Sequence, residues 1–237
     1  MASLNLVNID LLFQSHIITD LIQSFLDELP RLCESSYTPT ATDMFYLIET
    51  TCSGVRDCVI SQQSGTYRVV DFTSLGLGSS KTWLHQCENM SVVMFAVDLC
   101  CYDVCDMILD AREAIPQNIL RQTLDFFRSV VTSRWLVRQH ILLILMNKDI
   151  FGEKLNHVPL SDAWPSYNGG PDVESATAYI IDLFAKVADH ASRPQCFEMF
   201  THFLNLEDSK DPALIQAMLS IARDSVITAD QHDCGLL

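Results

Sequence analysis

The chain has 237 residues, 49% of them hydrophobic, enough to bury a substantial core as one domain or one domain plus an appendage. Asp and Glu number 30 against 15 Lys and Arg, a formal net charge of −15, which argues against a nucleic-acid backbone or an anionic lipid surface as partner. The apolar run Ile141 to Met146 falls far short of the ~20 residues of a membrane helix, so no transmembrane segment is expected.

No basic-then-apolar leader opens the chain, and Ala2 stands where N-myristoylation requires glycine. The 9 cysteines are scattered without metal-site spacing, Cys100, Cys101 and Cys105 lying close together but with no second pair to complete a zinc site. They read as reduced thiols of a cytosolic protein.

In chain order, Ile17, Leu21, Phe25 and Leu29 keep one helical face, which Pro30 is expected to end. The polar stretch Cys33 to Thr42 reads as a linker. Val55 to Ile60 and Tyr67 to Phe72 are short β-rich runs whose Ser61–Gly65 connection signals a hairpin. Ser91 to Leu99 and Ile141 to Met146 are continuous apolar runs, as expected of strands buried on both faces. Between them Pro116 is expected to open a helix with the face Leu120, Leu124, Phe127 and Val131. Val173, Ala176, Ile180, Leu183, Phe184 and Val187 mark another helix, and Phe197 to Leu204 reads as a third buried strand. Asp211 caps a last helix with Pro212 at its first position, burying Leu214, Ile215, Met218, Leu219 and Ala222. Strand and helix alternating in this way predict an α/β fold, an open and mostly parallel sheet covered on both faces.

In such a sheet ligands bind outside the carboxyl ends of the strands. Asn147-Lys148-Asp149 follows the second apolar run, Asp71 closes the Tyr67 strand, and Thr50-Thr51 precedes the first β-rich run. These pieces, in this order, resemble the α subunits of heterotrimeric G proteins. Ser24–Leu29 with Tyr37-Thr38-Pro39-Thr40 is similar to the end of that family's helical domain, and Lys81-Thr82-Trp83-Leu84-His85 to the helix after switch II. Met146 to Leu155 resembles the guanine-recognition segment. Thr201-His202-Phe203, followed by the terminal Asp233-Cys234-Gly235-Leu236-Leu237, is the most specific match, close to the receptor-contacting tail of inhibitory-type α subunits. The resemblance implies a Ras-like domain over residues 43–237, preceded by a helical-domain remnant and linker over 1–42. It also implies GTP/GDP and Mg²⁺ as ligands.

The departures point the other way. The family's Gβγ-binding helix, first strand and GxxxxGK[ST] phosphate loop have no counterpart, so the sheet is expected to lack its first strand. Leu75-Gly76-Leu77-Gly78-Ser79-Ser80-Lys81-Thr82 imitates a phosphate loop, but Leu75 and Ser80 occupy the glycine positions, and a β-carbon at Ser80 obstructs the phosphates. It reads as a degraded switch II turn. Ile48 falls at the position of the switch I arginine, Thr51 at that of the Mg²⁺-ligating threonine, and Leu75 at that of the water-positioning glutamine. Thr51 and Asp71 have structural readings as well, as a loop threonine and a turn carboxylate. Asn147, Lys148 and Asp149 lack the one-residue spacer of Asn-Lys-x-Asp, a shift of up to ~3.3 Å for the carboxylate in extended chain. Leu206 takes the place of a small guanine-contacting residue, with Glu207 beside it.

The missing strand of the family lies between the strands at Tyr67–Phe72 and Ser91–Leu99. Leu4 to Ile9 is the free β-compatible candidate for the gap, but it carries two asparagines. A gap or a closed-up five-stranded sheet is therefore expected.

Two functions follow. One is a receptor-coupled α-like protein with impaired GTP binding and hydrolysis. The other is a nucleotide-free interaction or scaffold protein, or a non-functional truncated relative. Cys234, Gly235, Leu236 and Leu237 are the expected receptor contact; prenylation of Cys234 competes poorly, because no polybasic segment precedes it. Gβγ and nucleic acid are not expected partners. The expected location is cytoplasmic, with a peripheral place at the inner membrane face as the variant that the family brings.

Overall fold

The computed structural model describes residues 3–10, 26, 28–34, 36–40, 55–62, 65–71, 90–110, 113–136, 139–189, 191, 199–204, 216, 219–224 and 226–227. Among them the strands are β1 (Ser3–Asp10), β2 (Arg56–Gln62), β3 (Gly65–Asp71), β4 (Val92–Asp98), β5 (Cys105–Asp110), β6 (Glu113–Asn118), β7 (His140–Met146) and β8 (Met199–Leu204). The helices with defined bounds are α1 (Ile119–Val131), α2 (Lys148–Leu155), α3 (Leu160–Ala163) and α4 (Val173–Asp189). Residues 219–224 are also helical.

Among the described residues six strands form one sheet in the order β2-β3-β1-β4-β7-β8, parallel throughout except for the β2–β3 hairpin. Every residue of β4 and β7 is buried, as the apolar runs Val92–Val97 and Ile141–Met146 require, with Asp98 and His140 buried at their ends. Side chains alternate between two layers with the period of the strand. Val93, Phe95, Val97, Ile141, Leu143 and Leu145 pack with α1 and α4, whereas Val92, Met94, Ala96, Leu142, Ile144 and Met146 pack with Leu204, Leu219 and Ala222. Phe127 of α1 meets Phe95 and Phe184 edge-on, with centroids 5.0 and 5.1 Å apart, locking β4, α1 and α4 into one layer.

The sheet does not lack the strand in its first-strand position. β1 lies between β3 and β4, parallel to both, with Leu6 opposite Val69 and Val92 and Val7 opposite Val70 and Val93. Residues 3–10, expected to open a helical-domain remnant, thus belong to the main sheet. The balance of magnitudes explains it. Each buried N–H or C=O left unpaired along the facing edges of β3 and β4 costs about 1–3 kcal/mol, whereas strand propensities span only ~1 kcal/mol in all. The two asparagines lose to the ladders.

Three smaller expectations also give way. Pro116 does not open α1: it sits in β6 opposite Met107, in a two-stranded sheet where each strand keeps an open edge that tolerates a missing N–H. Helix α1 begins three residues later, after an N-cap at Asn118 whose side chain accepts a hydrogen bond from the Arg121 N–H. Pro30 does not end the first helix, since residues 28–32 are helical and the Cys33 N–H reaches the Leu29 carbonyl; a single missing donor is tolerated in so short a turn. β8 is an outer strand rather than a buried one, with Phe203 39% exposed. The cap at Asp211 and Pro212 lies outside the described residues.

Substituting Val7 by proline removes one rung of a ladder paired on both sides. It should lower the unfolding free energy by at least about 1–3 kcal/mol in urea titrations; an unchanged midpoint would show that β1 does not belong to the sheet in solution.

Candidate functional site

The carboxyl ends of the parallel strands lie on one edge of the sheet. In spatial order they are Asp71 on β3, Asp10 on β1, Asp98 on β4, Asn147 just after β7, and Leu204 on β8. Three adjacent strands therefore end in aspartate. The cation that the register places in this row is Arg56, opposite Asp71 across the hairpin.

Asn147 is the pivot of the edge. It has φ 61° and ψ 40°, and is the non-glycine residue with positive φ among those described. Asparagine tolerates this left-handed conformation better than most residues. Its backbone is held from three sides: its N–H donates to the Leu204 carbonyl at 3.0 Å, and its carbonyl accepts from the Phe151 N–H at 2.9 Å and from Cys100 Sγ at 3.7 Å. Its side-chain Nδ2 donates to Asp98 Oδ1 at 3.1 Å. Both residues are only 4% exposed. Oδ1 of Asn147 is buried and has no hydrogen-bond partner.

Asp98 organises the turn that follows β4. Its Oδ1 also accepts from the Cys100 N–H at 2.9 Å, capping the 3-10 turn Leu99–Tyr102, and its Oδ2 takes the Cys101 thiol at 3.7 Å. Lys154 of α2 closes the arrangement by donating to the Cys100 carbonyl at 2.8 Å and pairing with Asp103. Tyr102 donates to the Val158 carbonyl, and Trp164 Nε1 to the Tyr102 carbonyl at 3.2 Å. Burial, then the Tyr102 neighbours beginning with Asp103, push that phenol above its usual range. Gly152 lets α2 lie against α4, since a β-carbon there would come within 2.9 Å of Val173 Cγ2.

The other expected site residues are spread more widely. Lys148 is turned toward α4 and β8: its Nζ is 2.8 Å from Glu174 Oε1 and lies 4.6 Å from the centroid of the Phe203 ring. Asp149 is exposed in the first turn of α2, where a carboxylate favours the helix dipole. Asp71, on β3, is separated from Asn147 by β1 and β4, roughly 14 Å across the sheet, and the register sets it level with Leu142, so that a further roughly 16 Å along the strands lies between them. Thr51, Leu206, Ile48, the 75–82 segment and Cys234 to Leu237 lie outside the described residues. Sequence reasoning missed Asp98. Its signal was a carboxylate ending an otherwise apolar run, one that a solvated strand end would also produce.

The G-protein alpha subunit family matches residues 9–224. The chain belongs to that family. It is 31% identical to the guanine nucleotide-binding protein alpha-2 subunit of Kluyveromyces lactis over 96% of this chain and 39% of that protein. It is 28% identical to the alpha-4 subunit of Caenorhabditis briggsae over 92% of this chain and 58% of that protein. With the alpha-1 subunit of Mycosarcoma maydis it shares 29% identity, over 93% and 58%. The chain thus spans 39% to 58% of the length of these relatives.

The residues present do not fit a triphosphate. A phosphate loop needs glycines and a lysine after the strand in first position, yet residues 11–29, which follow β1, contain no Gly, Lys or Arg. On the base side, one N–H of the Asn147 amide is taken by Asp98. Among the described residues no group of three His, Cys, Asp or Glu is placed to hold a metal ion, and no helix is long and apolar enough to cross a membrane.

The thiols give a direct check on the turn. Burial, then the Asp98 charge, raise the Cys100 thiol well above its ordinary range, while Cys33, Cys58 and Cys105 are exposed. Only a thiolate alkylates readily. Iodoacetamide at mildly alkaline pH should therefore label Cys33, Cys58 and Cys105 in the native protein, and Cys100 and Cys101 only after unfolding, as peptide mass spectrometry will read.

Proposed function

We propose that this chain is a G protein α-like signalling protein in which GTP binding and hydrolysis are impaired or lost, and which works through protein contacts. The observation that carries this reading is the segment after the strand in first position: no glycine or lysine follows β1 in residues 11–29. Thr51 and Asp71 remain as the family-type Mg²⁺ and switch positions, and Asn147, Lys148, Asp149 and Leu206 as the base-recognition positions. Weak or absent affinity for GTP, GDP and Mg²⁺ follows from the company they keep. Lys148, which the family packs along the base, is paired with Glu174 instead.

The partner class is a receptor, contacted through Cys234, Gly235, Leu236 and Leu237, with Leu236 and Leu237 as apolar anchors. A stable complex with Gβγ is not part of the proposal. The location is cytoplasmic, at the inner membrane face when a receptor is engaged. A fully nucleotide-free interaction protein is the second reading, favoured by the commitment of the Asn147 amide to Asp98.

Calorimetric titration with GDP and a non-hydrolysable GTP analogue, with and without Mg²⁺, tests both. Weak binding supports the first reading and none at millimolar ligand the second; affinity typical of an intact α subunit overturns both. With Ile48 and Leu75 in place of the arginine and glutamine, each worth orders of magnitude in related GTPases, single-turnover GTP hydrolysis should equal the rate in buffer. Turnover at an ordinary α-subunit rate would end the proposal.

A further inference from the structure

We infer that Asn168-Gly169 is a self-modification site: the Gly169 backbone nitrogen attacks the Asn168 side-chain amide and turns the residue, through a cyclic imide, into aspartate and isoaspartate. The inference is independent of the proposed function, since it concerns the loop before α4 and involves no nucleotide.

The sequence supplies the pair. Among the chain's asparagines only Asn168 precedes a glycine. A following side chain shields the attacking nitrogen, and glycine carries none. The structure leaves the pair unhindered. Asn168 is exposed in the connection between α3 and α4, and among the described residues neither its side chain nor the Gly169 N–H takes part in a hydrogen bond. Two other asparagines show the contrast. At Asn118 the side chain donates to the Tyr102 carbonyl at 2.6 Å, and the next nitrogen, of Ile119, donates to the Val104 carbonyl at 2.8 Å. At Asn156 the side chain donates to the Gly152 carbonyl at 3.2 Å, and the His157 N–H to the Lys154 carbonyl at 3.0 Å. In both, the attacking and the attacked group must first be released. At Asn168 neither is held.

Packing accounts for the glycine. Tyr167 is buried, and its hydroxyl donates to the Gly170 carbonyl at 2.9 Å, so the chain turns back over its own ring. A β-carbon on Gly169 would lie 2.6 Å from that hydroxyl. The residue that the turn demands is thus the one that makes its neighbour reactive.

The chemistry needs water and nothing else. As the bond from the Gly169 nitrogen to Asn168 Cγ forms, the Cγ–Nδ2 bond breaks. Nδ2 leaves as ammonia, taking up through solvent the proton that the Gly169 nitrogen gives up. One water then opens the imide. Cleavage between the nitrogen and Cγ returns an aspartate in the ordinary chain. Cleavage between the nitrogen and the α-carbonyl leaves the chain running through Cβ and Cγ, one carbon longer. That extra carbon enters the short loop between Tyr167 and Gly170 and breaks the hydroxyl–carbonyl bond that closes it.

In the test, the full chain is held in warm, mildly alkaline buffer and its peptides are followed by mass spectrometry, with fragmentation that separates isoaspartate from aspartate. Asn168 should convert about tenfold or more faster than Asn118 and Asn156, whose side-chain and nitrogen hydrogen bonds must first break. Its rate should also lie within about tenfold of that in a free peptide of residues 164–172, since the fold does not hinder the attack. Conversion no faster than at Asn156, or slower than the peptide by more than that margin, overturns the inference. Protein carrying isoaspartate should show faster amide exchange at residues 167–170; unchanged exchange there overturns the claim that the modification opens the loop. In Asn168→Gln the acidic form that accumulates on ion exchange should all but disappear, and its accumulation at the natural rate overturns the inference.

Discussion

A parallel strand buried on both faces must pair along both of its edges, and that demand shapes this molecule. β4 and β7 are apolar but for Asp98 and His140 at their ends, and are sealed between two layers of side chains. Water cannot reach their backbone groups, so their neighbours must supply the hydrogen bonds. β7 finds β4 and β8; β4 finds β7 and, on its other side, β1. The recruitment of a segment with two asparagines into a central position follows from the absence of any cheaper donor.

The same pairing fixes what stands at the edge of the sheet. Because β3, β1 and β4 are adjacent and parallel, Asp71, Asp10 and Asp98 are brought to one end, although they are far apart in sequence. Of these, Asp98 is buried and spends its carboxylate on Cys100, Cys101 and Asn147. The family relationship and the site chemistry are thus separable. The sheet order is that of a Ras-like domain, and the residue types at the strand ends are read separately from that order.

The rigidity of the edge comes from polar contacts buried among apolar ones. Asp98, Asn147, Cys100 and Lys154 join β4, the turn after it, β7 and α2 through bonds to backbone atoms and one between the Asn147 and Asp98 side chains. In a low-dielectric setting such bonds are strong and their loss is costly. The orphaned Asn147 oxygen marks where the arrangement is incomplete, in contrast to Tyr102 and Trp164, whose polar ends are both satisfied.

The sequence by itself determined the local elements and the residue inventory. Apolar runs specified β4 and β7, helical periodicity specified α1 and α4, and the Asn147-Lys148-Asp149 segment marked the strand end that carries the candidate site. The lack of glycine and lysine in residues 11–29 is likewise a matter of residue types and needs no coordinates. Tertiary structure decided the rest. Whether Ser3–Asp10 becomes helix or strand depends on ladders to residues some sixty and ninety positions away. Pro116 is acceptable in β6 only because that hairpin has open edges, and β8 is half-exposed only because it is the outer strand. The partner of the Asn147 amide, Asp98, is 49 residues distant. Periodicity reports which faces of a segment are apolar; it carries no information on which remote backbone or side-chain group will meet them, and that meeting set the chemistry of this site.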